Sequence, residues 1–215
     1  QSRNEGFHEC PDLFELPLDE DATRRKWVLH GGSSKYQVGS FDGRTFGPET
    51  PMIAGHVGNA FYAGQTFSDV PQGRRIQMGF AMSGGDLAKQ IFAGMPFNQV
   101  LTFPCELALR STPAGPRLAW TPVREIEALR IHQHRAAQLR LQEGLTAAIP
   151  VTSGLLDVQV ELEPGPAGEV ALALPGATLT YHRATQELRC GPTRVPLPLA
   201  AGRVRFRVLH DRGLL

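Results

Sequence analysis

Strict alternation of apolar and polar residues in the second half of the chain is the feature that most limits its fold. Apolar residues occupy every other position over Leu156–Leu162, Val170–Leu174 and Val204–Val208. Side chains of a β-strand point alternately to opposite faces, so a period of two predicts strands with one buried face. The pattern predicts packed antiparallel sheets, as in a β-sandwich, over residues 151–215.

The first half of the chain combines short apolar runs with frequent turn residues. Gly (23) and Pro (17) together supply 40 of the 215 residues, which indicates dense turns. Gly31-Gly32 and Asp42-Gly43 are hairpin signals, because such turns need positive φ angles. Strands at this spacing indicate an all-β sandwich, barrel or propeller. The predicted strands are Trp27–His30, Tyr36–Phe41, Phe61–Phe67, Arg74–Met82, Val100–Phe103 and Glu106–Arg110.

One helix is predicted between the two halves. Thr121 is a residue type that caps helix N-termini, and Pro122 at the first helical position loses no hydrogen bond. Val123, Ile126 and Leu129 follow at intervals of three and form an apolar stripe, which we expect to pack between two domains. The predicted organisation is a first domain at 1–120, a connector with this helix at 121–150, and a second domain at 151–215.

Charge and hydropathy argue against nucleic acid and membranes as partners. Lys and Arg number 22 and Asp and Glu 21, so the chain lacks the basic surface typical of nucleic-acid binding. No stretch reaches the roughly 18 apolar residues that a membrane-spanning helix needs. The three cysteines lack metal-ligand spacing, and the pair His132 and His134 is interpreted as connector surface. We therefore expect no metal and no cofactor.

Two segments carry side chains suited to chemistry on a sugar. Glu9 precedes Cys10-Pro11, and a proline keeps the residue before it out of the helical region, so Glu9 lies on an extended segment or turn. It is either a solvated carboxylate or a general acid. In Phe61–Asp69, small residues separate aromatic ones, and Tyr62 and Gln65 can hydrogen-bond sugar hydroxyls. The alternative interpretation of this segment is a core strand. Arg74 and Arg75 are likewise an anion-binding pair or solvated.

In this order and spacing, these segments resemble glycoside hydrolase family 32, the β-fructosidases, which include levanases, exo-inulinases and invertases. The resemblance rests on Glu9-Cys10-Pro11-Asp12-Leu13-Phe14-Glu15-Leu16-Pro17, the hairpin from Trp27 to Phe46, Tyr62-Ala63-Gly64-Gln65-Thr66-Phe67 and Pro104-Cys105-Glu106-Leu107. It implies the later blades of a five-bladed β-propeller over 1–120, followed by part of a β-sandwich. It also implies retaining hydrolysis of β-fructosidic bonds in fructans or sucrose, and a secreted or periplasmic location.

The resemblance implies roles for five residues. Glu9 matches the family's general acid/base, and Tyr62 matches a residue at the fructose site. Cys10, Pro11 and Phe80 are expected to line the substrate pocket. The family's nucleophile lies in an Asn-Asp-Pro-Asn-Gly-like segment, and a second Asp lies in an Arg-Asp-Pro segment; neither occurs among the 215 residues. Both precede the acid/base in the family, so we expect a chain cut at both ends that is inactive alone.

Two positions depart from the family's pattern and leave the preferred sugar open. His56 stands where the family often has Asp, and Phe80 follows Gly79 where Trp is usual. Three functions are consistent with the sequence: a fructan hydrolase, a non-catalytic fructan-binding module, and a fructosyltransferase of the same architecture. The linkage, exo or endo action and the oligomeric state stay open.

Overall fold

β-Strands dominate both halves of the chain, as the alternation and the turn residues predict. The structure is a computed structural model, and it describes residues 7–58, 61–81, 94, 96, 100–151 and 153–211. The chain divides into two units, Gln1–Arg130 and Ile131–Leu215. In the described part of the chain, no helix is long and apolar enough to cross a membrane. Met82, at the end of one predicted strand, lies outside the described residues.

The strands of the first unit form one ten-stranded sheet, made of two antiparallel groups that are joined by a parallel pair between Leu18 and Leu109. One group is β1 (Asp12–Leu18), β2 (Asp21–His30), β3 (Lys35–Phe41) and β4 (Phe46–Pro48), with the short β5 (Ile53–Ala54) paired to β3. The other is β6 (Phe61–Phe67), β7 (Ile76–Ala81), β9 (Cys105–Arg110) and β10 (Arg117–Pro122), with the short β8 (Val100–Leu101) paired to β7. Four-stranded antiparallel meanders are the blades of β-propellers, so the predicted blade architecture is confirmed.

The core of the first unit draws side chains from both groups. Alternate residues of β1 are buried, and Leu109 on β9 is fully buried. Tyr36 is also buried, and its hydroxyl oxygen accepts the backbone N–H of Leu118 at 3.1 Å. Each such apolar side chain contributes about 1.5–3 kcal/mol by its removal from water. The core cluster is Phe14, Leu16, Leu18, Val28, Tyr36, Val38, Leu107, Leu109 and Leu118.

The helix differs from its prediction in start and type. Thr121 and Pro122 close β10, paired with Glu106 and Cys105, and the N–H of Val123 continues the ladder to the Pro104 carbonyl at 3.0 Å. Because β9 satisfies these backbone groups, no threonine cap is needed, and a 3₁₀ helix runs over Arg124–Leu129 instead. The predicted stripe is buried only in part: Val123 is buried and Ile126 half-buried, but Leu129 is 76% exposed.

Residues 131–150, predicted as a connector, contain no strand or helix and are exposed throughout. The predicted boundaries at 120 and 150 stay a prediction.

The second unit contains two sheets. In one, β11 (Leu155–Leu162) pairs with β16 (Val204–Asp211); in the other, β12 (Glu169–Leu174), β13 (Ala177–His182), β14 (Glu187–Cys190) and β15 (Thr193–Pro196) form a meander. The predicted alternation is confirmed in β16, where Val204 and Val208 are buried while Arg205 is exposed, as is Arg203 directly before the strand.

The polar face of the β11–β16 pair carries cross-strand ion pairs. Arg207 binds Asp157 through two nitrogens, at 2.7 and 2.8 Å. Arg205 donates to Glu161 at 2.7 Å, and Arg203 to the same carboxylate at 2.9 Å. Opposite charges facing each other across an antiparallel pair stabilise its register.

Candidate active site

Glu9 lies on an exposed segment that leads into β1. Cys10 and Pro11 follow it and are also exposed, and β1 begins at Asp12. Cys10 adopts a φ of 47°, a left-handed conformation that residues with a Cβ seldom take. The chain therefore turns sharply between Glu9 and the strand, which leaves the Glu9 carboxylate open to solvent.

The Gly31-Gly32 pair is needed because the segment around Glu9 lies directly on it. A Cβ on Gly31 would lie 2.6 Å from the ring of Phe7, and one on Gly32 would lie 3.0 Å from the Glu9 carbonyl oxygen. The N–H of Gly32 donates to that oxygen at 2.8 Å. The left-handed residue of this turn is Ser34, with a φ of 60°, so close approach explains the glycines better than the predicted turn geometry.

Tyr62 reaches Glu9 from β6. Its hydroxyl donates a hydrogen bond to Oε2 of the Glu9 carboxylate, and this bond raises the pKa of the Tyr62 hydroxyl above its usual value. Phe80 is the direct cross-strand partner of Tyr62 on β7 and lines an open groove with Met78 and Leu101. The structure thus brings Glu9, Tyr62 and Phe80 into one neighbourhood.

Residues of β6 also bind the segment Cys10–Asp12 that follows Glu9. Gln65 Nε2 donates to the Cys10 carbonyl oxygen at 3.0 Å and to the Gly64 carbonyl oxygen at 3.1 Å. The N–H of Thr66 donates to the Asp12 carboxylate at 2.8 Å. The sequence left Gln65 either as a residue that can hydrogen-bond a sugar or as part of a core strand; in the structure it is exposed on β6 and its amide nitrogen binds backbone. Contacts across 55 residues leave no signal in a local pattern.

Arg74 and Arg75 are engaged within the protein. Arg74 donates to Glu106 at 2.8 Å and to Glu125 at 2.6 Å. The bond to Glu125 lowers the pKa of that carboxyl to about 2. The Arg75 guanidinium lies 5.0 Å above the ring of Phe14 and donates to the Thr66 hydroxyl at 2.9 Å. Both arginine side chains are therefore bound by other residues of the first unit. They are not an anion-binding pair exposed to solvent.

A buried polar chain, which the sequence did not indicate, lies next to the glycine pair. The indole N–H of Trp120 donates to Gln77 Oε1 at 2.7 Å, so the Gln77 amide nitrogen faces His30 Nε2, at 3.4 Å. An amide nitrogen only donates, so His30 Nε2 accepts and the ring is neutral. Burial lowers the pKa of His30 to about 4. His30 Nδ1 has no hydrogen-bond partner among the described residues.

The three cysteines are free thiols, of which Cys10 is exposed. Within the described ranges, no group of three or more His, Cys, Asp or Glu side chains could hold a metal ion. His132 and His134 lie in the exposed stretch 131–150.

Comparison with known proteins identifies the family. The sequence profile described as the glycosyl hydrolases family 32 N-terminal domain matches residues 1–122. The chain belongs to glycoside hydrolase family 32. A levanase of Bacillus subtilis (strain 168) is 28% identical over 99% of this chain and 37% of its own length. A levanase of Bacillus sp. (strain L7) is 31% identical over 76% of this chain and 19% of its own length. The chain thus spans well under half the length of these family 32 relatives.

Solved structures of similar enzymes confirm the fold expected for family 32. The exo-inulinase from Aspergillus awamori superposes with a TM-score of 0.73 at 21% identity, over 95% of this chain and 48% of that one. The β-fructofuranosidase from Schwanniomyces occidentalis, complexed with fructosyl-erythritol, superposes with a TM-score of 0.67 at 18% identity, over 95% of this chain and 50% of that one. At identities this low, the superpositions establish the fold alone. They agree with propeller blades followed by part of a sandwich.

Proposed function

We propose that Glu9 is the general acid/base of a retaining β-fructosidase that acts on fructans or sucrose. The observation that carries the proposal is the hydrogen bond from Tyr62 to the exposed Glu9 carboxylate, within the part of the chain that the family profile covers. The names of the relatives, levanase and exo-inulinase among them, support fructans as the substrate class.

A retaining hydrolase uses its acid/base twice. In the first step, the Glu9 carboxyl gives its proton to the glycosidic oxygen while a nucleophilic carboxylate bonds to the anomeric carbon and the leaving sugar departs. In the second step, the Glu9 carboxylate takes a proton from water, and the resulting hydroxide displaces the nucleophile to release fructose. The nucleophile would come from the family's Asn-Asp-Pro-Asn-Gly-like segment, which does not occur among residues 1–215.

Tyr62 gives the two oxygens of Glu9 different tasks. Its hydroxyl occupies Oε2, so Oε1 is the oxygen that carries the transferable proton and faces the substrate. The same hydrogen bond holds in both protonation states of Glu9, because Oε2 accepts in each. Tyr62 therefore keeps the carboxyl group in one orientation through both steps.

The test uses the assembled enzyme, meaning a protein in which residues 1–215 are joined to the family's nucleophile segment. Glu9→Gln should reduce fructan turnover by about 10²–10⁴-fold, the usual contribution of general acid–base catalysis. A β-fructoside with an activated aryl leaving group needs no protonation, so its first step should slow much less. Glu15→Gln, which removes a carboxylate paired with Arg25 at 2.7 Å on β1, is the matched control. Equal slowing of both substrates by Glu9→Gln would contradict the proposal.

Analysis of the products separates the three functions. A hydrolase releases free fructose, a fructosyltransferase yields longer or mixed oligosaccharides, and a binding module retains fructan without turnover. Residues 1–215 by themselves should release no fructose above background, because loss of a nucleophile commonly costs several orders of magnitude in rate.

A further inference from the structure

The segment that carries Glu9 is neither strand nor helix, and hydrogen bonds from other parts of the chain hold it in place. Neither Glu9, Cys10 nor Pro11 belongs to a strand. The Glu9 carbonyl oxygen accepts from Gly32, and the Cys10 carbonyl oxygen accepts from the Gln65 side chain. Within the described residues, Gln65 is the side chain that fixes the peptide between Cys10 and Pro11.

A bulge in β6 places Gln65 where it can do this. Tyr62 pairs with Phe80 and Gln65 pairs with Met78, so three steps along β6 match two steps along β7. Side chains alternate along a strand, so residues three apart normally point to opposite faces. The extra residue puts Tyr62 and Gln65 on the face shared by Phe80 and Met78. One face of β6 therefore supplies both the hydroxyl that binds the Glu9 carboxylate and the amide that binds the Cys10 carbonyl.

Both segments joined by the hydrogen bond from Gln65 to Cys10 contain a residue in the left-handed conformation. Ala63, inside the bulge, has a φ of 50°, and its N–H donates to the Gly32 carbonyl oxygen at 2.8 Å. Cys10 has a φ of 47°. Both conformations are unfavourable for residues with a Cβ and persist only where the surroundings hold them. The Gln65 amide is one of the groups that hold Cys10.

We propose that Gln65 is a positioning residue for Glu9: its amide fixes the left-handed Cys10 peptide and thereby the direction in which the Glu9 carboxyl faces the substrate. This inference rests on the proposed role of Glu9 as the acid/base. Without the hydrogen bond, the Cys10 peptide rotates, and the proton-donating oxygen loses its alignment with the leaving group. A displacement of about 1 Å is enough to cost roughly 10²-fold in rate.

Gln65→Glu in the assembled enzyme tests the proposal, because the substitution keeps the size of the side chain and removes its N–H donors. Gln65 is exposed, so its replacement does not disturb the core. We expect kcat for fructan to fall about 10–100-fold, with KM unchanged and with little effect on the first step for the activated aryl fructoside. Gln65→Ala should behave in the same way.

Gln37→Glu is the matched control. Gln37 on β3 also donates from Nε2 to a backbone oxygen, that of Thr50 at 3.2 Å, so the control loses an equivalent bond away from Cys10. A kcat for Gln65→Glu no lower than that of this control would overturn the proposal. A rise in KM at unchanged kcat would also overturn it, because it would mean that Gln65 binds the sugar directly.

The rate at which the Cys10 thiol is alkylated gives a readout that does not depend on fructan turnover. Faster alkylation of Cys10 in Gln65→Glu than in Gln37→Glu, measured by peptide mass spectrometry, supports the fixing of this peptide by Gln65. If Glu9→Gln slows both substrates equally, the proposed function fails, and the alkylation rate alone decides the positional role. An unchanged alkylation rate would overturn that role as well.

Discussion

The two units of the chain bury their side chains to different degrees. The first unit has a continuous core and buries polar residues beside it, with His30 and Gln77 almost fully enclosed. In the second unit, most apolar side chains of β11 and β12 are only half-buried, and Leu179, Tyr181, Val204 and Val208 are its buried hydrophobic residues among those described. Its β11–β16 pair is lined instead by cross-strand ion pairs.

This difference indicates a division of roles. Buried polar groups and left-handed residues with a Cβ are costly, and they persist where the surroundings fix them for a purpose. In the first unit, the left-handed Cys10 and Ala63 lie at the Glu9 segment, while others, such as Asp19 and Asp69, lie in turns; the second unit also buries a polar side chain, that of His210. In the second unit, arginine and carboxylate side chains are paired in a ladder that sets strand register, which is a structural role.

Truncating one leucine in each unit gives the largest expected effect on stability. Leu109→Ala should lower the free energy of unfolding by about 3–4 kcal/mol, and Leu179→Ala by about 2 kcal/mol, because a site with half-buried neighbours relaxes more easily. Both tryptophans, Trp27 and Trp120, lie in the first unit. Denaturant unfolding followed by their fluorescence reports that unit, while far-UV circular dichroism reports both. Equal losses would remove the contrast between the units.

Acid should weaken the first unit through His30. Its pKa is about 4 in the folded chain, against a usual 6.5, so the unfolded chain binds more protons between these pH values. Stability should fall as the pH decreases from 6.5 to 4, by up to about 3 kcal/mol. In His30→Gln this part of the decrease should vanish. His132→Gln, at an exposed position, is the control and should follow the unsubstituted chain.

Two ion pairs of the second unit should differ in strength according to burial. The Asp157 and Arg207 side chains are 11% and 23% exposed, and those of Glu161 and Arg205 are 44% and 73% exposed. Double-mutant cycles should give about 1–2 kcal/mol for the first pair and below about 0.5 kcal/mol for the second. Added salt should reduce only the second value. The same energy for both pairs would show that burial does not matter in this sheet.

The smallest effect is expected at Glu125, which is 58% exposed in its bond with Arg74. The pKa of Glu125 is lowered from 4.5 to about 2, so its stabilising contribution is complete above 4.5 and disappears as the pH falls towards 2. The stability difference between the unsubstituted chain and Glu125→Gln should shrink over that range. Glu127→Gln, in the same 3₁₀ helix, controls for the substitution. A difference that stays constant with pH would contradict the Arg74 bond.

Patterns in the sequence predicted several strands with one buried face, such as β7 and β16, but they did not predict β10 or β13. They did not reveal β1: its buried residues Phe14, Leu16 and Leu18 do alternate, but Pro17 stands among them, and proline argues against a strand because it cannot donate to the ladder. They also misplaced the helix, since the suitability of Thr121 as a cap does not show that β9 already satisfies the neighbouring backbone.

In the candidate site, Glu9 and Tyr62 were named through the family resemblance. Their bond to each other, and the bond from Gln65 to Cys10, depend on which face of β6 each side chain takes. A single extra residue in a strand decides that, and a period-two pattern cannot detect it. For a similar reason, the sequence did not indicate that His30 is buried: its partner Gln77, which Trp120 binds in turn, lies on a distant strand.

The bulge in β6 also affects which changes in length this strand can tolerate. Losing one residue between Tyr62 and Gln65 would restore regular pairing with β7 and would leave both side chains on one face, because residues two apart share a face. The deletion would instead remove the extra residue that makes the bulge, and with it the left-handed conformation in which the Ala63 N–H donates to the Gly32 carbonyl oxygen. A deletion within the bulge should therefore keep both partners of the Glu9 segment on their face, while the exposed stretch 131–150 can vary freely in length.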